Sequence, residues 1–270
     1  MANSNIRPFP DKEPGVLQCP REVIMSDKGH KLRRILVAVI IAMVVAIAGF
    51  LWYASDYYHA DATALEALEG SDEVTVTELA DGSIAFVPTD IRCGLVFYPG
   101  GKVEPEAYAP LLMACAERGI LCIDLQPTLN LAILDMDAAD GVIAQFPQVD
   151  TWYLGGHSLG GVVAADYLAR HQDEFEGVVL LAAYPAVDLS GTSEHVLQVV
   201  GSNDGVLDRD RYEEARELLP EDSKELVIEG GNHAQFGDYG PQDGDGEATV
   251  AAREQQEVTA EAIADLPAQE

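Results

Sequence analysis

The stretch Gly156-His157-Ser158-Leu159-Gly160 sets a serine between two glycines, in the G-x-S-x-G spacing of a nucleophile elbow. At such an elbow the serine takes a strained backbone on a sharp strand-to-helix turn, and glycines remove side chains that would collide with the neighbouring strand and helix. The hydroxyl is then exposed above the sheet edge, and the following helix aims its first amides at developing negative charge. A serine hydroxyl is a weak nucleophile at neutral pH, so the chemistry also needs a base within hydrogen-bond reach and an acid to orient that base. Of the six histidines, His30 and His59 precede the main body, His171 ends a helical stretch and His195 opens a strand. His157 is the variable residue of the elbow, with its ring expected to point away from the hydroxyl. His233 is the expected base: it sits in the glycine-rich loop Glu229-Gly230-Gly231-Asn232-His233, directly after the last expected strand.

The expected acid is Asp204, in Gly201-Ser202-Asn203-Asp204-Gly205, with Asp208 as the nearby alternative. The chain order is then Ser158, Asp204, His233. An oxyanion needs two backbone N–H donors, one from the residue after the nucleophile and one from a loop at the same sheet edge. Leu159 supplies the first. Tyr98-Pro99-Gly100-Gly101-Lys102 supplies the second, through Gly101, with Lys102 as the other candidate.

These residues must be carried by a sheet. Short apolar runs at 74–79, 83–87, 94–98, 120–124, 151–155, 177–182, 196–200 and 225–228 predict eight strands, the first two joined as a hairpin around Asp81-Gly82 and the other six parallel. Helical stretches are predicted at about 105–118, 131–146, 159–171, 210–219 and 248–266. Strand-helix repetition of this kind predicts an α/β fold with helices on both faces, and each candidate residue follows a strand at its carboxyl end.

Tyr98-Pro99-Gly100-Gly101-Lys102-Val103-Glu104-Pro105, the elbow, the Asp204 loop and Gly230-Gly231-Asn232-His233-Ala234-Gln235-Phe236-Gly237 together resemble the α/β-hydrolase superfamily, in its compact bacterial branch related to dienelactone hydrolases. The resemblance runs from about Val74 to the C-terminus. It departs from dienelactone hydrolases proper, which use cysteine at the elbow, and so implies a serine esterase that cleaves carboxylic esters or thioesters through an acyl-enzyme, without a cofactor. An acyltransferase on the same triad, or a catalytically silent binding module, are the alternatives. Only about a dozen residues separate the sixth strand from the seventh, where many relatives insert a lid, so no large cap is expected. Phe236, Tyr239, Tyr184 and Leu131 are candidate walls of an open site.

The formal net charge of -30 is unevenly spread: residues 1–34 hold seven Lys/Arg against four Asp/Glu, leaving nine basic and 42 acidic residues for the remainder. So acidic a body repels nucleic acid and anionic lipid. Ile35 to Ala54 carries twenty residues without a charge, enough to span a bilayer, with Trp52 and Tyr53 at its far end. Lys28, Lys31, Arg33 and Arg34 precede it, which predicts a cytoplasmic N-terminus and an exported body. A cleaved signal peptide is the competing reading of this run. The domains expected are a disordered tail over 1–34, a transmembrane helix over 35–54, a juxtamembrane stem over 55–72 and a hydrolase body over 73–270. Cys19, Cys93, Cys115 and Cys122 match no zinc spacing and read as small apolar residues, with a Cys115–Cys122 bridge as a lesser alternative. Asp243-Gly244-Asp245-Gly246 lacks the ligand pattern of a calcium loop, so no metal is expected.

Overall fold

The computed structural model describes residues 27–266, so the expected tail up to residue 26, with Cys19, lies outside the described residues. Two units are distinguished, residues 1–50 and 51–270. The first contains most of helix α1 (Asp27–Ser55), whose described side chains up to Phe50 are all exposed. Its span Gly29–Ser55 reaches a mean hydropathy of 2.9 and is long and apolar enough to cross a membrane.

The second unit is built on one eight-stranded sheet. After the short helix α2 (Ala62–Ala67), β1 (Val74–Glu78) and β2 (Ile84–Pro88) form an antiparallel pair. There follow β3 (Cys93–Tyr98), α3 (Ala109–Ala116), β4 (Ile120–Asp124), β5 (Trp152–His157), α4 (Leu159–Arg170), β6 (Gly177–Leu181), β7 (His195–Gly201), α5 (Arg209–Glu214), β8 (Lys224–Ile228) and α6 (Ala252–Ala264). The strand order is β1-β2-β4-β3-β5-β6-β7-β8, and β3 to β8 run parallel. Alternate residues of each strand face opposite layers. Leu95, Phe97, Cys122, Val179 and Val199 pack with residues of α3 and α6, whereas Val96, Tyr98, Ile123, Leu154 and Val178 pack with α4. β5, which carries the elbow, lies between β3 and β6, so it is buried along its whole length.

Three helical expectations need correction, and the alternative of a Cys115–Cys122 bridge falls away. The stretch 131–146 is not a helix: 3-10 turns at Ala132–Leu134 and Ile143–Gln145 are separated by irregular chain. Its apolar spacing suggested a helix, but aspartate is a poor helix former, the carboxylates of Asp135, Asp137 and Asp140 bond the side chains of Thr128, Arg170 and Tyr167, and Gly141 takes a positive φ of 69°. The helix expected at 105–118 begins as a 3-10 turn (Pro105–Tyr108) before α3, and α6 starts only at Ala252. Cys93, Cys115 and Cys122 are free and buried, with no bridge between Cys115 and Cys122.

Residues read from sequence as a stem lie against the sheet unit. Tyr58 N–H donates to the Lys102 carbonyl at 2.8 Å and Glu104 N–H donates to the Tyr58 carbonyl at 2.8 Å, a parallel bridge. Ala60 N–H donates to Glu104 Oε2 at 2.8 Å, Asp61 N–H to the Asp238 carbonyl at 2.8 Å, and Ala64 in α2 is fully buried.

Candidate active site

Ser158 ends the β5 corner with φ 51° and ψ -119°, a conformation that L-residues seldom adopt. The turn can be this tight because of its glycines. A Cβ on Gly156 would lie 2.6 Å from Gly161 N, and one on Gly160 would run into the Tyr98 and Pro99 carbonyls at the end of β3. Ser158 N–H donates to the Leu181 carbonyl at 2.9 Å, which ties the corner to β6.

Two other loops meet this corner. His233 follows β8, 1% exposed, and its Nδ1 lies 2.9 Å from Asp204 Oδ2 in the loop after β7. Asp204 also caps its own turn, its Oδ1 accepting from Val206 N–H at 2.9 Å and Leu207 N–H at 2.8 Å. Burial works against the charge of Asp204, but the His233 ring and these two N–H groups outweigh it and hold its pKa below the ordinary carboxylate value. An ionised Asp204 accepts a proton-bearing Nδ1, which leaves His233 Nε2 as the acceptor nitrogen. That Nε2 is buried and has no hydrogen-bond partner. Asp208, the alternative acid, instead caps α5 by accepting from Arg211 N–H.

Ser158 and His233 line the same cavity of about 260 Å³, together with Leu159, Val162, Ala182, Ala183, Tyr184, Val206, Leu207 and Asp208. No hydrogen bond joins the serine to the histidine among the described residues; in unliganded sites this contact commonly tightens only with substrate.

The β3 loop presents its N–H groups selectively. Gly100 N–H donates to the Tyr108 hydroxyl at 3.0 Å and Lys102 N–H to the Asn130 carbonyl at 2.8 Å. Gly101 N–H and Leu159 N–H take part in no hydrogen bond among the described residues. The two loops touch, because a Cβ on Gly101 would lie 2.9 Å from Leu159 Cδ2. Of the two donors weighed from sequence, Gly101 is therefore the one with a free N–H.

Residues 94–257, more than half of the chain, match the alpha/beta hydrolase family. The chain belongs to this family. No curated protein matches it in sequence. Among solved structures, carboxylesterase CesB of Bacillus subtilis superposes with a TM-score of 0.54 at 12% identity, covering 76% of this chain and 94% of that one. Est1E of Butyrivibrio proteoclasticus with bound ferulic acid gives 0.53 at 13% identity, over 73% and 98%. A predicted CIB-like hydrolase of Thermoplasma acidophilum gives 0.51 at 16%, over 72% and 100%. At these identities the likeness concerns the fold.

In this alpha/beta hydrolase the elbow histidine has a place that its motif position did not disclose. His157 is 1% exposed, and its ring centroid lies 4.5 Å from that of His233 and 5.6 Å from that of Phe236. Burial, then the neighbouring His233, push its pKa well below the usual imidazole value, so it is neutral. Burial likewise raises the Tyr108 phenol, which keeps its proton. Tyr108 therefore accepts from Gly100 N–H and donates its own proton to His157 Nδ1, 2.7 Å away. One phenol thus connects the β3 loop to the ring that supports His233. The signal was a long-range contact, and no local pattern could have carried it.

Of the four wall candidates only Tyr184 lines the cavity. Phe236 is fully buried behind His157, Tyr239 packs on Tyr58, and Leu131 is buried in the 3-10 turns. Among the described residues no cluster of three or more His, Cys, Asp or Glu could hold a metal. Asp245, in the stretch weighed as a calcium loop, is surrounded by N–H donors, an environment suited to an anion.

Proposed function

We propose that this hydrolase is a membrane-anchored serine esterase acting on carboxylic esters or thioesters. The observation that carries the reading is the Asp204–His233 bond, which leaves a free, buried Nε2 on the wall of the cavity that Ser158 shares. In the proposed reaction Nε2 takes the Ser158 proton as the oxygen attacks the acyl carbon. Asp204 holds the resulting imidazolium, and the N–H groups of Leu159 and Gly101 stabilise the tetrahedral oxyanion. Collapse expels the alcohol or thiol with the proton returned by His233, and water repeats the sequence on the acyl-serine to release the acid.

The cavity is smaller than the roughly 300–1,000 Å³ of common ligand pockets, and residues 182–194 between β6 and β7 form only a short connection. Both features suit short acyl groups. Helix α1, about 44 Å long at 1.5 Å per residue, supports a membrane anchor, and the basic residues in its first turns, ahead of the uncharged run 35–54, support a cytoplasmic N-terminus with the hydrolase unit exported. A p-nitrophenyl ester series run on the wild type, Ser158→Ala and His233→Ala, with fluorophosphonate labelling, tests the reading. Short-chain hydrolysis and labelling that vanish with Ser158→Ala are expected. Unchanged labelling in that variant would rule out Ser158 as the nucleophile.

A further inference from the structure

The Asp243-Gly244-Asp245-Gly246 loop has no part in the proposed triad, yet Asp245 is bonded to both loops that form it. Its Oδ1 accepts from Gly205 N–H at 3.1 Å, from His233 N–H at 3.2 Å and from Gly246 N–H at 2.8 Å. Its Oδ2 accepts from Ala234 N–H at 2.8 Å. Gly205 adjoins the acid Asp204, and His233 with Ala234 opens the 3-10 turn that presents the base. A carboxylate that accepts from several backbone amides makes charge-assisted bonds, stronger than bonds to a neutral acceptor. Here they run to two segments from different strand ends. The rest of the loop adds to the connection. Asn203 Nδ2 donates to the Glu247 carbonyl and Asn232 Nδ2 to the Gly246 carbonyl, both at 2.9 Å. A Cβ on Gly205 would lie 2.6 Å from the Gly244 carbonyl oxygen, so the segments are in contact. Asp243 N–H in turn donates to the Tyr58 hydroxyl at 3.1 Å, which fixes the outer end of the loop.

We propose that Asp245 is a positioning residue, whose carboxylate fixes the Asp204 and His233 loops at the separation their hydrogen bond requires. The proposal rests on the triad reading above. Without the carboxylate, four amides lose their acceptor, and the two loops keep their direct contacts and the bonds of Asn203 and Asn232 to the Glu247 and Gly246 carbonyls. A misplacement of the pair by an ångström can cost about 100-fold in rate.

The test uses the full chain in detergent micelles, with Asp245→Asn, Asp245→Ala and, as a control, Asp243→Asn, which removes the same charge from the same loop without touching the four amides. Hydrolysis of p-nitrophenyl acetate should fall about 10- to 100-fold in kcat for both Asp245 variants, with KM changed far less. Asp243→Asn should keep wild-type kcat. Amide hydrogen exchange at Gly205, His233 and Ala234 should rise in the Asp245 variants. This readout needs no substrate and decides the inference even if the wild type hydrolyses no ester. A folded Asp245→Ala with wild-type kcat and exchange would overturn the proposal, and so would an Asp243→Asn effect as large as that of Asp245→Asn. If the alanine variant does not fold, the asparagine variant decides by the same readouts.

Discussion

A chain beginning at Glu73, where the sequence places the start of the hydrolase body, should be much less stable than one beginning at Ser55. The shorter chain loses five long-range hydrogen bonds: Tyr58 N–H to Lys102, Glu104 N–H to Tyr58, Ala60 N–H to Glu104, Asp61 N–H to Asp238, and Asp243 N–H to the Tyr58 hydroxyl. Water can replace the lost partners, so each bond is worth about 0.5–1 kcal/mol net. Together these come to about 3–5 kcal/mol, before the lost packing of Ala64 and of the Tyr58 ring on Tyr239. For a unit of this size 1 kcal/mol moves Tm by about 2–4 °C, which predicts a drop of roughly 6–20 °C. The loss is local as well as global, because the bridge from Tyr58 runs along Lys102 and Glu104, next to the free Gly101 N–H. Calorimetry on the two purified chains, with p-nitrophenyl acetate hydrolysis at 25 °C, measures both effects. Two chains melting within about 2 °C of each other with equal kcat would refute the reasoning.

Gly160→Ala should abolish activity and destabilise the fold by several kcal/mol, since its Cβ meets backbone carbonyls that cannot move aside as a side chain could; chemical denaturation and fluorophosphonate labelling check this. His157 is held neutral when folded, so below its unfolded pKa of about 6.5 the unfolded chain binds the extra proton. Stability is intact above that pH and is lost as pH falls, by up to about 1.4 kcal/mol per pH unit, and His157→Asn should remove this component from a stability profile between pH 7 and 5. Asp204, with a lowered folded pKa, contributes stability above about pH 4 that is lost on further acidification; Asp204→Asn should flatten that part of the profile and lower kcat strongly at neutral pH. Gly100→Ala places a Cβ 2.6 Å from the Tyr108 hydroxyl and 2.8 Å from His157 Nδ1, so kcat should fall more than KM rises in steady-state assays.

Much of the architecture was readable from the chain because it rests on local patterns. Eight short apolar runs, bounded by glycine, proline and aspartate, became eight strands with ends shifted by one or two residues. The 131–146 stretch failed because apolar spacing and turn-forming aspartates pointed in opposite directions, and the aspartates with Gly141 prevailed. The contacts of 55–72 were not legible for a different reason: nothing within that stretch shows that Tyr58 pairs with a loop more than forty residues later.

The sequence by itself singled out Ser158 and His233 as candidates, with the glycines that the sharp corner requires, because each stands in a short glycine-rich pattern set by near neighbours. The tertiary structure decided which carboxylate, Asp204 or Asp208, meets the imidazole, and which N–H, of Gly101 or Lys102, is left free. It also gave Tyr108, His157, Tyr58 and Asp245 their contacts. Each of these choices depends on which loops meet where the parallel strands end, and that is set by the packing order of β4, β3, β5, β6, β7 and β8 rather than by any pattern along the chain.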